Sequence, residues 1–281
     1  ENKWRVAVST DIASGFPFHH PAKAVEIYEA SGLKDFGVEL VPIFIGTLVL
    51  AHASINGNEL SKGLRLEGVH GRMGSLPSMF DHGKGVFDFA KIKLLDLTLP
   101  YFHPSFGINL NSIAEKQGRD IYHNVHHELL AYSEKMFKHY LDRFKDLHNV
   151  LLAIENGPTN GGVDLTHDLV ARYRDNELNA VATIDVLHAA LEFNDYNDSL
   201  AGIEKVWGKV LNSIGDDTRQ VHLPIGKVDN LPIAQMLIER KMIQDLVAVL
   251  KDSKVEVVTF ENQHSYFTGI WKSERDRLSQ I

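Results

Sequence analysis

Cysteine is absent from all 281 residues, so neither a disulfide framework nor a thiolate metal site can form. No apolar run approaches the roughly 20 residues of a membrane helix. The longest candidate, Val41 to Ala53, is interrupted by Pro42, Gly46 and His52. The opening Glu1-Asn2-Lys3-Trp4 lacks the basic-then-apolar layout of a secretory signal. With cysteine missing as well, the expected setting is a reducing cytoplasm. Positive charge is in the minority: 29 Lys and Arg against 37 Asp and Glu leave −8, which gives no electrostatic footprint for nucleic acid. Low-complexity stretches and Pro/Ser-rich linkers are missing too, so nothing marks a domain boundary. What remains is a chain with 44% hydrophobic residues, enough for a sizeable core, and 15 histidines, a high count for this length.

Four stretches share one design. Val150-Leu151-Leu152-Ala153-Ile154 is a short apolar run that leads straight into Glu155, Asn156 and Gly157. It reads as a buried strand that carries a carboxylate to the end of a sheet. Ala180 to Asp185 and Val255 to Glu261 repeat it, and Arg219-Gln220-Val221-His222 ends the same way in an imidazole. The terminal residues lie 30, 37 and 39 positions apart, one strand-plus-helix unit each.

The earlier chain continues the alternation. Trp4 to Thr10, Asp35 to Val41 and Leu64 to Val69 read as strands, and His20 to Ser31 as a helix. For the fourth strand, Ser105 to Asn111 gives a more regular interval than Lys91 to Leu99, and Phe87 to Leu99 then becomes the preceding helix. Arg119 to Asp146 is expected to form one long amphipathic helix. Further helices are expected from an Asp164 cap to Arg174, from Asp198 or Ser199 to Ile214, within Pro232 to Lys251, and over Ile270 to Ile281. Eight strands alternating with helices over about 250 residues describe an α/β chain folded as a single (β/α)8 TIM-type barrel spanning 1–281.

In such a barrel the active site lies at the carboxyl ends of the strands. Glu155, Asp185, His222 and Glu261 would therefore converge from four neighbouring strands. Three carboxylates in one partly dry mouth repel one another and raise each other's pKa values unless a cation neutralises them. One divalent metal held by three carboxylates and an imidazole resolves the repulsion. The donor set suits Mn²⁺, Mg²⁺ or Co²⁺, with Zn²⁺ also compatible.

The ordered set Glu155-Asn156-Gly157, Asp185-Val186-Leu187-His188, Val221-His222-Leu223 and Phe260-Glu261-Asn262-Gln263 resembles the xylose isomerase-like barrel superfamily. That group includes ketose 3-epimerases, related sugar isomerases, dehydratases of polyhydroxy ketones and endonuclease IV. The specific matches lie in residues 150–262. By the epimerase pattern, the resemblance implies that Glu155, Asp185, His222 and Glu261 hold the metal. It makes Glu155 and Glu261 the acid/base pair on opposite faces of the substrate carbon, working through an enediolate. His188 would contact substrate oxygens, with His70 and Asn156 lining the pocket. The implied partner is a small sugar-like molecule, and homo-oligomers are common among such barrels. One departure stands out. The epimerases carry an arginine six residues beyond the histidine ligand, where this chain has Val228; Lys227 is the cation that would replace it.

Two other reactions fit the same residues. An inosose- or dehydroshikimate-type dehydratase begins with the same proton abstraction. An endonuclease IV-like nuclease would share His70, Glu155, Asp185, His188, His222, Asp229 and Glu261. It would also need a histidine where this chain has Leu231 and another on the fourth strand, which the register above places at Asn111. The triplet His123, His126 and His127 reads as the solvated face of the long helix. His19-His20 sits after the first strand as a candidate substrate contact. The Asn156 to Gly162 loop would serve as a phosphate cradle or a plain turn, and His264, Tyr266 and Phe267 as a sugar-facing wall or helix packing.

Overall fold

The computed structural model describes residues 3–9, 35–40, 65–71, 110–127, 130, 144–145, 147–157, 159–195, 199–224, 227–228, 231–232 and 242–261. Ten strands occur among them. They are β1 (Arg5–Ser9), β2 (Phe36–Leu40), β3 (Arg65–Gly71), β4 (Ile121–His126), β5 (Val150–Glu155), β6 (Ala180–Asp185), β7 (Thr218–Pro224), β8 (Lys227–Val228), β9 (Leu231–Pro232) and β10 (Val257–Glu261). Eight close into a barrel in the order β1-β10-β7-β6-β5-β4-β3-β2, while β8 and β9 form a small separate pair. Every neighbouring pair in the ring is parallel. The expected α/β barrel is therefore the fold.

Five helices are described: α1 (Leu110–Gln117), α2 (Gly162–Asp175), α3 (Val186–Phe193), α4 (Leu200–Asn212) and α5 (Met242–Asp252). Residues 150–155 and 180–185 are buried throughout, as continuous apolar runs must be when a parallel sheet is covered on both faces. The larger apolar cluster fills the space between strands and helices, with Leu152, Ile154, Val170, Ile203 and Leu246 among its members. A second, smaller cluster of Ala7, Tyr122, Leu151, Ala153, Val181 and Val257 is made by the alternate residues of the strands and fills the barrel interior.

The fourth strand lies elsewhere than the interval argument placed it. Leu110 and Asn111 open α1 rather than close a strand. Gly118, at φ +65, ends that helix, and the amide of Arg119 returns to the carbonyl of Ala114. The chain then enters β4 at Ile121. The supposed long helix from Arg119 thus begins as a strand, and His123 and His126 belong to a sheet. Lys91 to Leu99 and residues 20–31, 87–99 and 270–281 lie outside the described residues.

Helix starts are settled by capping. Ser199 caps α4, its hydroxyl accepting from the amide of Gly202 at 3.1 Å. Asp164 does not cap α2; Gly161, at φ +74, holds that position, and Asp164 sits in the first turn, where its charge favours the helix dipole.

A half-buried ion pair ties these units together. His167 on α2 meets Asp217, just ahead of β7, at 2.8 Å, and its other ring nitrogen donates to the carbonyl of Ser213 at 3.0 Å. The hydrogen bond to Asp217 raises the His167 pKa from 6.5. Burial would raise that of Asp217, but the imidazole outweighs it and holds the carboxyl below 3.8. The imidazole's contribution is complete below pH 6.5 and fades as pH rises through its higher folded value. That of Asp217 is complete above pH 3.8 and fades as pH falls through its lower folded value. Wild type should therefore exceed His167→Gln in unfolding free energy by about 1 kcal/mol near pH 5. Urea titrations at pH 5 and pH 9 check this: the gap should shrink at the higher pH, and a constant gap would assign the stabilisation to packing.

Candidate metal centre at the carboxyl ends of the strands

The barrel has a charged lower end, a polar middle and a polar, ionisable mouth. At the amino end of the strands, the buried Glu67 carboxylate receives Arg5 at 2.9 Å and Arg65 and Arg119 at 3.5 Å. Halfway up, Glu39, Asn124, Thr183, Gln220 and Thr259 reach inward and bond to one another, all fully buried. Asn124 donates to Glu39 at 2.8 Å and to Gln220 at 2.9 Å. Gln220 donates to Glu39 at 2.6 Å and to Thr259 at 2.7 Å. Thr183 donates to Asn124 at 2.6 Å.

Above that layer stand the residues that end the strands. Alternation along each strand puts them on the same inward face as the layer beneath: Thr183 then Asp185, Gln220 then His222, Thr259 then Glu261. One suitable atom each from Glu155, Asp185, His222 and Glu261 lies within 4.8 Å of all the others. The Nδ1 of His222 is 3.4 Å from Glu155 Oε1 and 3.3 Å from Glu261 Oε1. Asp185 divides its oxygens: Oδ1 accepts from the amide of His188 at 2.8 Å, capping α3. Its Oδ2 is buried without a hydrogen-bond partner, and both ring nitrogens of His222 are in the same position.

Orphaned buried donors and acceptors are costly; Nδ1 of His222 faces Glu155 and Glu261, while its Nε2 faces Glu39 Oε2 at 3.3 Å. Burial pushes Glu261 up to about 8, with the charges of Glu155 and Glu39 adding to the effect. Burial, joined by the charge of Glu155, also raises Asp185. Burial would raise Glu155 too, but the imidazoles of His126, His70 and His222 prevail and hold it well below the usual carboxylate range. Burial disfavours the charged form of His222, yet the carboxylates of Glu261, Glu39 and Glu155 outweigh it and raise the pKa. Protons on imidazoles thus offset the negative charge. A divalent cation fits the same donors: three oxygens and one nitrogen, among which Asp185 Oδ2 and His222 Nδ1 have no hydrogen-bond partner.

His70 and His126 enlarge the site. The Nε2 of His70 meets Glu155 Oε2 at 2.6 Å. Burial opposes its charge, but Glu155 raises the pKa to about 9. Burial lowers the pKa of His126 to about 3, against the opposing charge of Glu155. Atoms of His70, His126 and Glu155 form a second group within 4.8 Å, and Glu39, His70, His222 and Glu261 form a third. Glu155 belongs to two of these groups, offering Oε1 towards His222 and Oε2 to His70.

The histidine triplet was misplaced on a solvated helix face. His123 is buried, with its ring edge-on to Phe144 at 5.2 Å. His127 is buried as well: Nδ1 accepts from the amide of Gly157 at 2.8 Å, and Nε2 lies 3.0 Å from the Thr159 hydroxyl. His126 sits opposite Glu155 in the strand register. The available signal was the interval: His126 precedes Glu155 by 29 positions, nearly the 30 that separate Glu155 from Asp185. Asn124 occupies the inward position two residues earlier.

Asn156, expected to line the pocket, has another task. Its amide donates to the carbonyl of Asp185 at 3.2 Å and its oxygen accepts from the Asp185 amide at 2.8 Å. The side chain is fully buried and locks β5 to the end of β6. The Nδ1 of His188 donates to the carbonyl of Asn156 at 3.0 Å, leaving Nε2 as the ring's remaining polar atom. Lys227 lies in β8, paired opposite Pro232. Residues 19–20, Asp229, His264, Tyr266 and Phe267 lie outside the described residues. Glu39 escaped sequence reasoning; the signal was a lone glutamate in a short apolar strand.

No family model matches the chain, and no curated protein matches it. Among solved structures it is similar to a 3-keto-D-glucoside 4-epimerase from E. coli, at 14% identity over 99% of this chain and 98% of that one, with a TM-score of 0.49. It is similar to a GH10 endoxylanase from a sugarcane soil metagenome, at 11% identity over 93% and 85%, with a TM-score of 0.44. SacUVDE is similar at 12% identity over 99% and 100%, with a TM-score of 0.41. The barrel itself carries the assignment of fold: it is closed, parallel and eight-stranded, with Glu155, Asp185, His222 and Glu261 at or near the carboxyl ends of β5, β6, β7 and β10.

Proposed function

We propose that this protein is a divalent-metal-dependent isomerase or epimerase of a ketose or related polyhydroxy carbonyl compound. The carrying observation is the convergence of Glu155, Asp185, His222 and Glu261, all buried, within 4.8 Å. These four would hold one Mn²⁺, Mg²⁺, Co²⁺ or Zn²⁺ ion. Such an ion supplies Lewis acidity to a carbonyl and its neighbouring hydroxyl, which acidifies the C–H between or beside them. Glu155 and Glu261 stand on β5 and β10, with β6 and β7 between them in the ring, so they reach the centre from different sides. Their pKa values are driven apart, one low and one raised to about 8. Before a cation binds, that division leaves one carboxyl ionised and the other protonated in a single site. Glu155 removes the proton as the enediolate forms, and Glu261 returns one to the other face. His188 Nε2 holds a substrate hydroxyl, and His70 steadies the base through its 2.6 Å contact. Lys227 takes the place of the absent arginine.

Turnover of ketoses and inososes by metal-loaded protein in deuterium oxide tests the proposal. Deuterium appearing in recovered ketose supports epimerisation or isomerisation. Loss of water without exchange into unreacted substrate assigns a dehydratase instead. No turnover of any polyhydroxy carbonyl compound would overturn the reading.

A second reading is favoured by one observation. His126 supplies the fourth-strand histidine that the nuclease pattern requires, and with His70 it forms a second group sharing Glu155. Two cations per chain, with strand breakage of damaged duplex DNA, would select this reading; Leu231 still stands where that pattern has a further histidine.

A further inference from the structure

We propose that Glu39 is a positioning residue that fixes the tautomer and ring orientation of His222, so that Nδ1 is the nitrogen presented to the cation. This rests on the metal-site reading above. His222 has its two ring nitrogens in different company. Nδ1 faces Glu155 and Glu261 at 3.4 and 3.3 Å, while Nε2 faces Glu39 Oε2 at 3.3 Å.

Glu39 is itself held rigidly. Its Oε1 accepts from Asn124 at 2.8 Å, and its Oε2 accepts from Gln220 at 2.6 Å and Thr259 at 2.8 Å. Those three donors sit on β4, β7 and β10, so the carboxylate is fixed from three strands and cannot swing upward. A fully buried carboxylate costs several kcal/mol unless its charge is used. The amide and hydroxyl donors occupy both oxygens, but none of them carries a positive charge to offset the carboxylate. The group that gains from a full negative charge is the imidazole directly above. A ligating histidine that donates its other N–H to a carboxylate is fixed in tautomer and made a better donor to metal. Glu39 could be taken for a ligand in its own right, since it falls in a group with His70, His222 and Glu261. Its two oxygens already receive three hydrogen bonds, which leaves the role of support beneath the ligand.

The test uses the full chain with ¹⁵N-labelled histidine and zinc as the probe, His222 being assigned by comparison with His222→Gln. In zinc-loaded wild type, the Nδ1 resonance should carry the shift of a metal-bound nitrogen and Nε2 a slowly exchanging proton. Competition titration should then show Glu39→Gln, still folded by circular dichroism, binding zinc roughly 10- to 100-fold more weakly. A merely structural role would lower thermal stability and leave both readouts unmoved. Metal on Nε2, or unchanged zinc affinity in a folded Glu39→Gln, overturns the inference. If that variant does not fold, the wild-type spectrum decides alone. Failure of wild type to take up zinc would overturn the metal-site reading and this inference together, so the two failures are told apart.

Discussion

Glu155→Gln and Glu261→Gln should each reduce turnover by roughly 10²–10⁴-fold, the span of a lost proton-transfer group, yet differ in their effect on stability. In the absence of a cation, Glu261 titrates near 8 and is mostly protonated at pH 7. Glutamine copies that neutral form, so apo Glu261→Gln should unfold within about 0.5 kcal/mol of wild type. Glu155 is ionised and forms a buried 2.6 Å pair with His70. Removing one member of a buried ion pair costs about 3–5 kcal/mol, because the other charge stays behind. Chemical denaturation of both apo variants, set beside their initial rates, checks the pair of expectations. Equal destabilisation would mean that the two acids are not electrically distinct, and retained turnover in both would eliminate the proton-shuttle mechanism.

Chelator-treated protein should gain thermal stability when a divalent cation is added, by about 2.7 kcal/mol once the free cation reaches a hundredfold excess over its dissociation constant. The gain should depend on pH with a definite sign. Ligands must be deprotonated to bind metal, and both Glu261 and His222 titrate above their ordinary values. Protons therefore compete with the cation across the neutral range. Apparent affinity should rise about tenfold per pH unit for each proton displaced, up to pH 8 or so. Asp185→Asn removes the orphaned Oδ2 and should abolish the gain while leaving the apo protein folded. Manganese titrations at pH 6, 7 and 8, read by thermal unfolding, measure both effects. A stabilisation independent of pH, or one that survives in Asp185→Asn, would place the ion elsewhere.

How far the sequence can be read depends on what each strand carries inward. Strands β5, β6 and β10 announce themselves because their interior positions are apolar or small until the final acid, so the whole run looks buried. Strand β4 carries Tyr122, Asn124 and His126 inward, and polar residues at every second position erase the apolar run by which a parallel strand is recognised. The same residues spaced along a polar stretch imitate a solvated helix. Glu39 is hidden for a related reason: it lies in β2 between Val38 and Leu40, and only the closed ring reveals that its side chain points at His222. The three acids are legible because each ends an apolar run, and His222 because it stands 37 positions after Asp185 and 39 before Glu261. Asn156 is hard to read from sequence because a loop asparagine beside a buried acid is equally able to bind backbone or ligand, and only the position of Asp185 shows its bonds to the backbone.

The interlocked amides and hydroxyls halfway along the barrel also act as a partition. Asn124, Gln220, Thr183 and Thr259 hold one another across the bore, and Tyr122, Leu151 and Val181 pack the space below them. Among the described residues, packed side chains thus stand between the Glu67 end and the acids above, so the bore is filled rather than open from end to end.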